Sequence, residues 1–213
     1  MSQVMESLRP KFRAQSRQGL LLLGLSLLTA GLGLAMVASA SAIDSFKQTD
    51  SAATMFLRQG AFAIVGLVVL VIASNLPMGF YRRLSMPILF GALGLQVATV
   101  LFGADINGNR NWLDLGFVSI QPSEFLKLAL IIALAQVFAQ LGANEERNRQ
   151  LWTWAFLLSA ASLVLVAIMG RDLGTGVVMA VLLMGMFLFA GMRWHTWLLI
   201  AVAGIASAAA LIM

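Results

Sequence analysis

Residues 19–40 read GLLLLGLSLLTAGLGLAMVASA, an unbroken run from Gly19 to Ala40 without a charged side chain. A helix needs about 20 mostly apolar residues to cross the hydrocarbon of a bilayer. The basic flank of this run, Arg9, Lys11, Arg13 and Arg17, would suit a cleaved leader as well as a retained span. A leader's apolar core is only about 7–15 residues long. The longer run here, with more such runs behind it, predicts a retained first helix.

Working outward, the charged side chains separate seven stretches of spanning length: Gln18–Ile43, Gln59–Tyr81, Leu84–Ala104, Leu128–Asn144, Gln150–Gly170, Leu173–Met192 and Trp194–Met213. They are dense in Leu, Ala, Val and Ile and lack the ten-residue alternation of an outer-membrane barrel. Composition agrees. Of 213 residues 60% are hydrophobic and 11% charged, whereas a soluble domain carries about 25% charged residues. A water-soluble core and a disordered tail are excluded. The absence of Cys excludes a disulfide framework, a thiolate metal site and a thiol nucleophile. The fold class expected is all-α, a polytopic transmembrane helical bundle with seven spans. Gly24, Gly31 and Gly33 suit close helix packing in lipid, and the 12 Met read as core filler.

The net charge of +5 belongs to the loops, where it sets orientation, and not to a nucleic-acid surface. With the N-terminus cytoplasmic, the inner segments hold nine basic residues: Arg9, Lys11, Arg13, Arg17, Arg82, Arg83, Arg147, Arg149 and Arg193. The outer ones hold five: Lys47, Arg58, Arg110, Lys127 and Arg171. Trp152, Trp154, Trp194 and Trp197 fall at helix ends on the inner side, and His195 among them reads as an anchor and not a general base. The expected organisation is a cytoplasmic tail over 1–18 and a multi-pass domain over 19–213 in the cytoplasmic membrane. Ala209-Ala-Leu-Ile-Met213 closes the last span with no polar cap or anchor, so the sequence reads as the N-terminal part of a longer protein.

The chemistry concentrates in two outer segments. In the loop between spans three and four, Asn107-Gly108 is a turn signal. Trp112, Leu113, Leu115, Phe117, Val118 and Ile120 form an amphipathic stretch able to lie at the outer interface. Gln121-Pro122-Ser123-Glu124 then opens the fourth helix, with Pro122 at N1 and Glu124 at N3. Acidic first turns are common, so capping alone accounts for Glu124 about as well as a functional role. Lys127 is on the same face at i+3 and can pair with it; ionisable groups inside a span usually face a cavity or a partner. Arg110 with this pair offers charge for an anionic, phosphorylated ligand.

The second segment is Met169-Gly170-Arg171-Asp172-Leu173-Gly174-Thr175-Gly176. Asp172 is a good N-cap for the sixth helix, accepting from the N–H near Thr175. Cap plus tight turn is the majority reading; the alternative is that Arg171 and Asp172 line the same outward cavity as Glu124 and Lys127. The loop from Asp44 to Arg58 is uninformative. No Ser/His/Asp set, His-x-x-x-His, Walker loop or dinucleotide fingerprint is present.

At these segments the sequence resembles the SEDS family of shape, elongation, division and sporulation proteins. The residues that carry the resemblance are Asn107-Gly108-Asn109-Arg110-Asn111-Trp112-Leu113, Gln121-Pro122-Ser123-Glu124-Phe125-Leu126-Lys127, Asp172-Leu173-Gly174-Thr175 and the small-residue run Ala38-Ser39-Ala40-Ser41. Order and spacing agree over nearly the whole chain, and Asn-Gly-Asn-Arg-Asn-Trp is closer to the division-type branch than to the elongation branch. The resemblance implies a ten-span glycosyltransferase that polymerises lipid II at the outer face of the membrane. It also implies a class B penicillin-binding protein transpeptidase as partner, within a division or elongation complex. The implied substrate cavity takes in Arg110, Trp112, Gln121, Ser123, Glu124, Lys127, Arg171 and Asp172. A leaving pyrophosphate needs cationic groups or a metal nearby; no cofactor is evident, and a divalent cation is the alternative to side-chain cations. The family's catalytic Asp lies in an outer loop after the seventh span, beyond residue 213, so Glu124 and Asp172 are expected to shape the cavity. Two departures stand out: Asn111 where the family commonly has a second Arg, and Gly170-Arg171-Asp172 where it has Gln-Pro-Asp. A lipid-linked precursor transporter and a non-catalytic scaffold remain rival roles.

Overall fold

The computed structural model describes residues 17–44, 52–106, 109–114, 116, 119–199 and 202. Most of the expected tail, the 45–51 loop, the Asn107-Gly108 turn, Leu115, Phe117, Val118 and the chain end from 203 fall outside them. The chain divides into two compact units, Met1–Leu76 and Pro77–Met213.

In the first unit, helices α1 (Arg17–Asp44) and α2 (Ala52–Asn75) pack on each other. Their apolar side chains stay largely exposed, Leu22 and Met36 among them, as surfaces solvated by hydrocarbon would be. Ser26 and Thr29 on α1 return their hydroxyls to Leu22 O and Leu25 O, so neither needs water.

The second unit holds α3 (Met78–Phe102), β1 (Ala104–Ile106), β2 (Asn109–Asp114), β3 (Ser119–Ile120), α4 (Pro122–Phe138), α5 (Glu145–Leu163) and α6 (Leu173–Phe189). A π-helical stretch, Val164–Met169, extends α5, and helical backbone resumes at 194–199. Helix α4 is the centre. Its buried residues Leu126, Ala129, Leu130, Ala133, Leu134 and Val137 recur every three or four positions, and it packs against α3, α5 and α6. Ala129 and Ala133 let a neighbouring backbone come close, which matters because dispersion and fit, not water exclusion, hold helices together in lipid. Helix α3 offers this core a polar-marked seam of Ser85, Leu89, Ala92, Gln96 and Thr99.

Helices thus form on the first six expected segments, with shifted ends, and of the seventh the described residues 194–199 are helical. Among the described residues three are long and apolar enough to cross a membrane: Gly19–Ser39, Met78–Phe102 and Glu145–Met169. Arg82 and Arg83, expected in an inner loop, lie in the first turns of α3, and α4 starts at Pro122 and ends at Phe138. The larger difference is in the outer loop. The loop read only as an amphipathic stretch able to lie at the interface contributes, over its described residues, to a three-stranded antiparallel sheet in the order β1-β2-β3. Ile106 pairs with Asn109, and Leu113 with Ile120. Asn and Gly disfavour a helix here, whereas paired strands satisfy each other's backbone groups.

At the opposite end, Phe138, Trp152, Phe156 and Phe187 close the bundle, the Phe156 and Phe187 rings stacked at 4.5 Å and Phe138 edge-on to Phe187 at 5.3 Å. The four tryptophans expected there as anchors divide in two. Trp152 joins this cluster and Trp197 donates its indole N–H to Met184 O at 3.0 Å, while Trp154 and Trp194 are exposed.

Candidate functional site

The end of the bundle that carries the sheet also carries the two segments singled out by sequence. Asp172 is the N-cap of α6: one carboxylate oxygen accepts from the Thr175 amide at 2.9 Å, and the other from the Thr175 hydroxyl at 2.7 Å. The second oxygen also accepts from the Gln121 amide at 3.0 Å. Burial alone would raise the Asp172 pKa. The Thr175 amide and hydroxyl, the Asn111 amide group beside the carboxylate and Gln121 outweigh it, and the net shift is downward. Asp172 therefore stays ionised, with both oxygens engaged in holding structure.

Gln121 explains how two helix starts meet. It is the N-cap of α4 by backbone geometry but makes no side-chain cap bond there. Its Nε2 amide group, a donor, reaches across instead, donating to Asp172 and to the Thr175 hydroxyl at 3.3 Å.

The turn before Asp172 is set by backbone geometry. Gly170 N donates to Leu165 O at 3.0 Å, a five-residue step, and Arg171 follows with a φ of 55°. That is left-handed backbone on a residue with a Cβ, sparsely populated and costly. Gly170 cannot carry a side chain, because a Cβ there would collide with the Asn111 side chain and the Val166 carbonyl. Arg110 N donates to Gly170 O at 3.0 Å. Strand β2 is thereby fastened to the turn, and Arg110 and Arg171, both exposed, come to neighbouring positions on the rim.

Beneath them lies a pair that sequence reasoning did not place in the site. Gln96 on α3 donates its amide to the Asn111 carbonyl oxygen at 2.7 Å, and both side chains are fully buried. From sequence alone Asn111 marks only the place where the family commonly has a second Arg. Its partner carried a readable signal: Gln96 is an amide within an apolar span, and such polar groups are usually functional or paired.

Glu124 and Lys127 form the ion pair expected of them, 2.8 Å apart. Lys127 is 14% exposed and Glu124 56%, so the pair contributes at most about 1 kcal/mol to stability. It joins the Asp172 cluster through its helix, Glu124 N donating to Gln121 O at 3.1 Å. Ser123 is fully buried and Trp112 half-buried. Among the described residues no group of three or more His, Cys, Asp or Glu could hold a metal ion.

Residues 19–213 match the model of the FtsW/RodA/SpoVE family, described as cell cycle proteins. A relative from Nitrosococcus halophilus, described as a probable peptidoglycan glycosyltransferase FtsW, is 34% identical over 195 residues, which are 90% of this chain and 50% of the relative. The chain spans about half the length of the curated relatives it matches. The crystal structure of Thermus thermophilus rod shape determining protein RodA superposes with a TM-score of 0.60 at 26% identity, covering 80% of this chain and 57% of that one. A structure described as the structural coordination of polymerization and crosslinking by a peptidoglycan synthase complex gives 0.56 at 27% identity, over 82% and 52%. With a helical bundle shared with RodA and a family pattern running from the first span to residue 213, this integral membrane protein belongs to the FtsW/RodA/SpoVE family.

Proposed function

We propose that the chain supplies the outward-facing substrate end of a peptidoglycan glycosyltransferase that polymerises lipid II into glycan strands. The observation that carries this reading is the joining of Arg110, Arg171 and the Glu124–Lys127 helix start around the Asp172–Gln121 bridge, in a chain whose relatives are described as peptidoglycan glycosyltransferases. Chemistry supports it. Transfer of a lipid-linked sugar expels an undecaprenyl pyrophosphate, and fixed cations stabilise charge that develops on the leaving group. Arg110, Arg171 and Lys127 are the cations of this end. Asp172 holds two helix starts together and is not the base that activates the acceptor hydroxyl; that carboxylate belongs to a later outer loop of the whole protein.

In the same reading the N-terminus with residues 1–18 is cytoplasmic, supported by the nine-to-five split of basic residues. A crosslinking transpeptidase is the partner, supported by the similarity to the synthase-complex structure. The test is polymerisation of purified lipid II by the full-length protein with its transpeptidase. Lys127→Ala is expected to abolish polymer while membrane insertion is unchanged, and normal polymerisation would remove Lys127 from the site. Headgroup translocation without any polymer from the unaltered protein would instead identify a transporter.

A further inference from the structure

Gly170 and Arg171 divide the turn between them in an unexpected order. Helices often end on one left-handed residue, and glycine is the usual choice because it has no Cβ to clash. Here the glycine is right-handed, with φ −77° and ψ −10°, and the next residue, Arg171, carries the left-handed φ of 55°. Three contacts fix Gly170 as it is. Its N–H donates to Leu165 O, its carbonyl accepts from the Arg110 N–H, and the Asn111 side chain occupies the space a Cβ would take. The reversal therefore falls on residue 171, and the Asp172 N–H closes it on Val166 O at 3.3 Å.

Nothing in that backbone calls for arginine. Glycine would take the same φ without steric cost, and asparagine with less than most. Nor does the arginine side chain offset the strain inside the protein. Arg171 is exposed, and among the described residues its guanidinium has no hydrogen-bond or ion-pair partner. The adjacent Asp172 carboxylate is engaged with Thr175 and Gln121 instead. A costly backbone under a side chain that holds nothing inside the protein is the pattern of a group kept for a ligand. A guanidinium is a planar fork of donors that matches phosphate oxygens, two at a time.

We infer that Arg171 is a ligand-binding residue retained although it lowers stability, its guanidinium taking phosphate oxygens of a polyprenyl pyrophosphate group. The inference rests on the substrate end proposed above and names the part of the substrate that this residue meets. It makes position 171 a place where affinity and stability oppose each other, so that the side chain best suited to the turn is the one that loses the ligand.

The test measures farnesyl pyrophosphate binding and the unfolding midpoint for the full-length protein in detergent. Arg171→Gly is expected to bind about tenfold more weakly. Arg171→Gln keeps the left-handed backbone without the charge, so it is expected to bind as weakly but to unfold about 2 °C below Arg171→Gly. Arg171→Lys keeps the charge and is expected to lose less affinity than either. Undiminished binding in Arg171→Gly, with Lys127→Ala impaired, would overturn the inference and leave the substrate end in place. No binding by the unaltered protein would overturn the substrate end itself. Equal midpoints for Arg171→Gly and Arg171→Gln would show that the turn gives up nothing for arginine, and the inference would fall. It would fall as well if phosphatidylglycerol displaced the probe as effectively as unlabelled farnesyl pyrophosphate, since Arg171 would then serve the bilayer's own headgroups.

Discussion

Asp172 shows how one side chain can be read correctly and still incompletely. Its cap on Thr175 followed from position alone, because a carboxylate two residues after a glycine and ahead of an apolar run accepts from the N3 amide. Its bond to Gln121 was not legible, since the two are 51 residues apart in sequence and nothing local states that Gln121 forgoes its own cap. The downward pKa shift fixes a direction of pH dependence. A carboxyl whose pKa is lower when folded than when unfolded adds stability above its unfolded value, and loses it as pH falls through the folded one. Thermal unfolding in detergent is therefore expected to show a contribution intact at neutral pH and lost as pH falls below the ordinary aspartate value of 3.8. Asp172→Asn removes the charge and is expected to flatten that acid limb. Asp172→Ala removes the cap as well, at about 1 kcal/mol. An unchanged acid limb in Asp172→Asn would show that other carboxylates dominate.

Among the elements, the helices were legible because hydrophobic runs bounded by charge state their own length. The sheet was not, because its strands are two to six residues long and take their stability from pairing and from the bond to Gly170. The π-helical stretch gave no warning either: Val164–Met169 reads as ordinary apolar helix. It packs tightly against α6, where a Cβ added at Gly176 would come within 2.7 Å of the Ala167 Cβ. Gly176→Ala is accordingly expected to destabilise the protein by about 1–3 kcal/mol through overpacking, whereas Gly185→Ala on the same helix meets nothing within 4 Å and is expected to be neutral or slightly stabilising. Paired unfolding curves of the two variants measure this directly, and equal midpoints would show that the α5–α6 contact yields without cost.

For the whole molecule, the count of spans and the clustering of chemistry at one end came from the sequence. The crossing of α4 by three neighbours did not, because α4 is apolar nearly all round and its pattern does not name the buried face. Orientation is open to direct measurement, since the chain has no Cys of its own. Cysteines at exposed Ser119 and Glu145 are expected to react with a membrane-impermeant maleimide from the outer and inner sides respectively, and the opposite pattern would invert the topology. The wide turn at the end of α5 carries a consequence for how such a protein can vary. Each residue of an α-helix advances the chain by 100° about the axis, and a π turn holds one residue more than an α turn. Losing a single residue between Val164 and Met169 would close the wide turn into an ordinary α turn of nearly the same rotation and reach, leaving the downstream corner, and Asp172 beside Gln121, close to where they are. In this family member a one-codon deletion there is absorbed, whereas the same deletion in the regular helix before it would rotate the corner by about 100° and re-aim the side chains that hold the substrate end together.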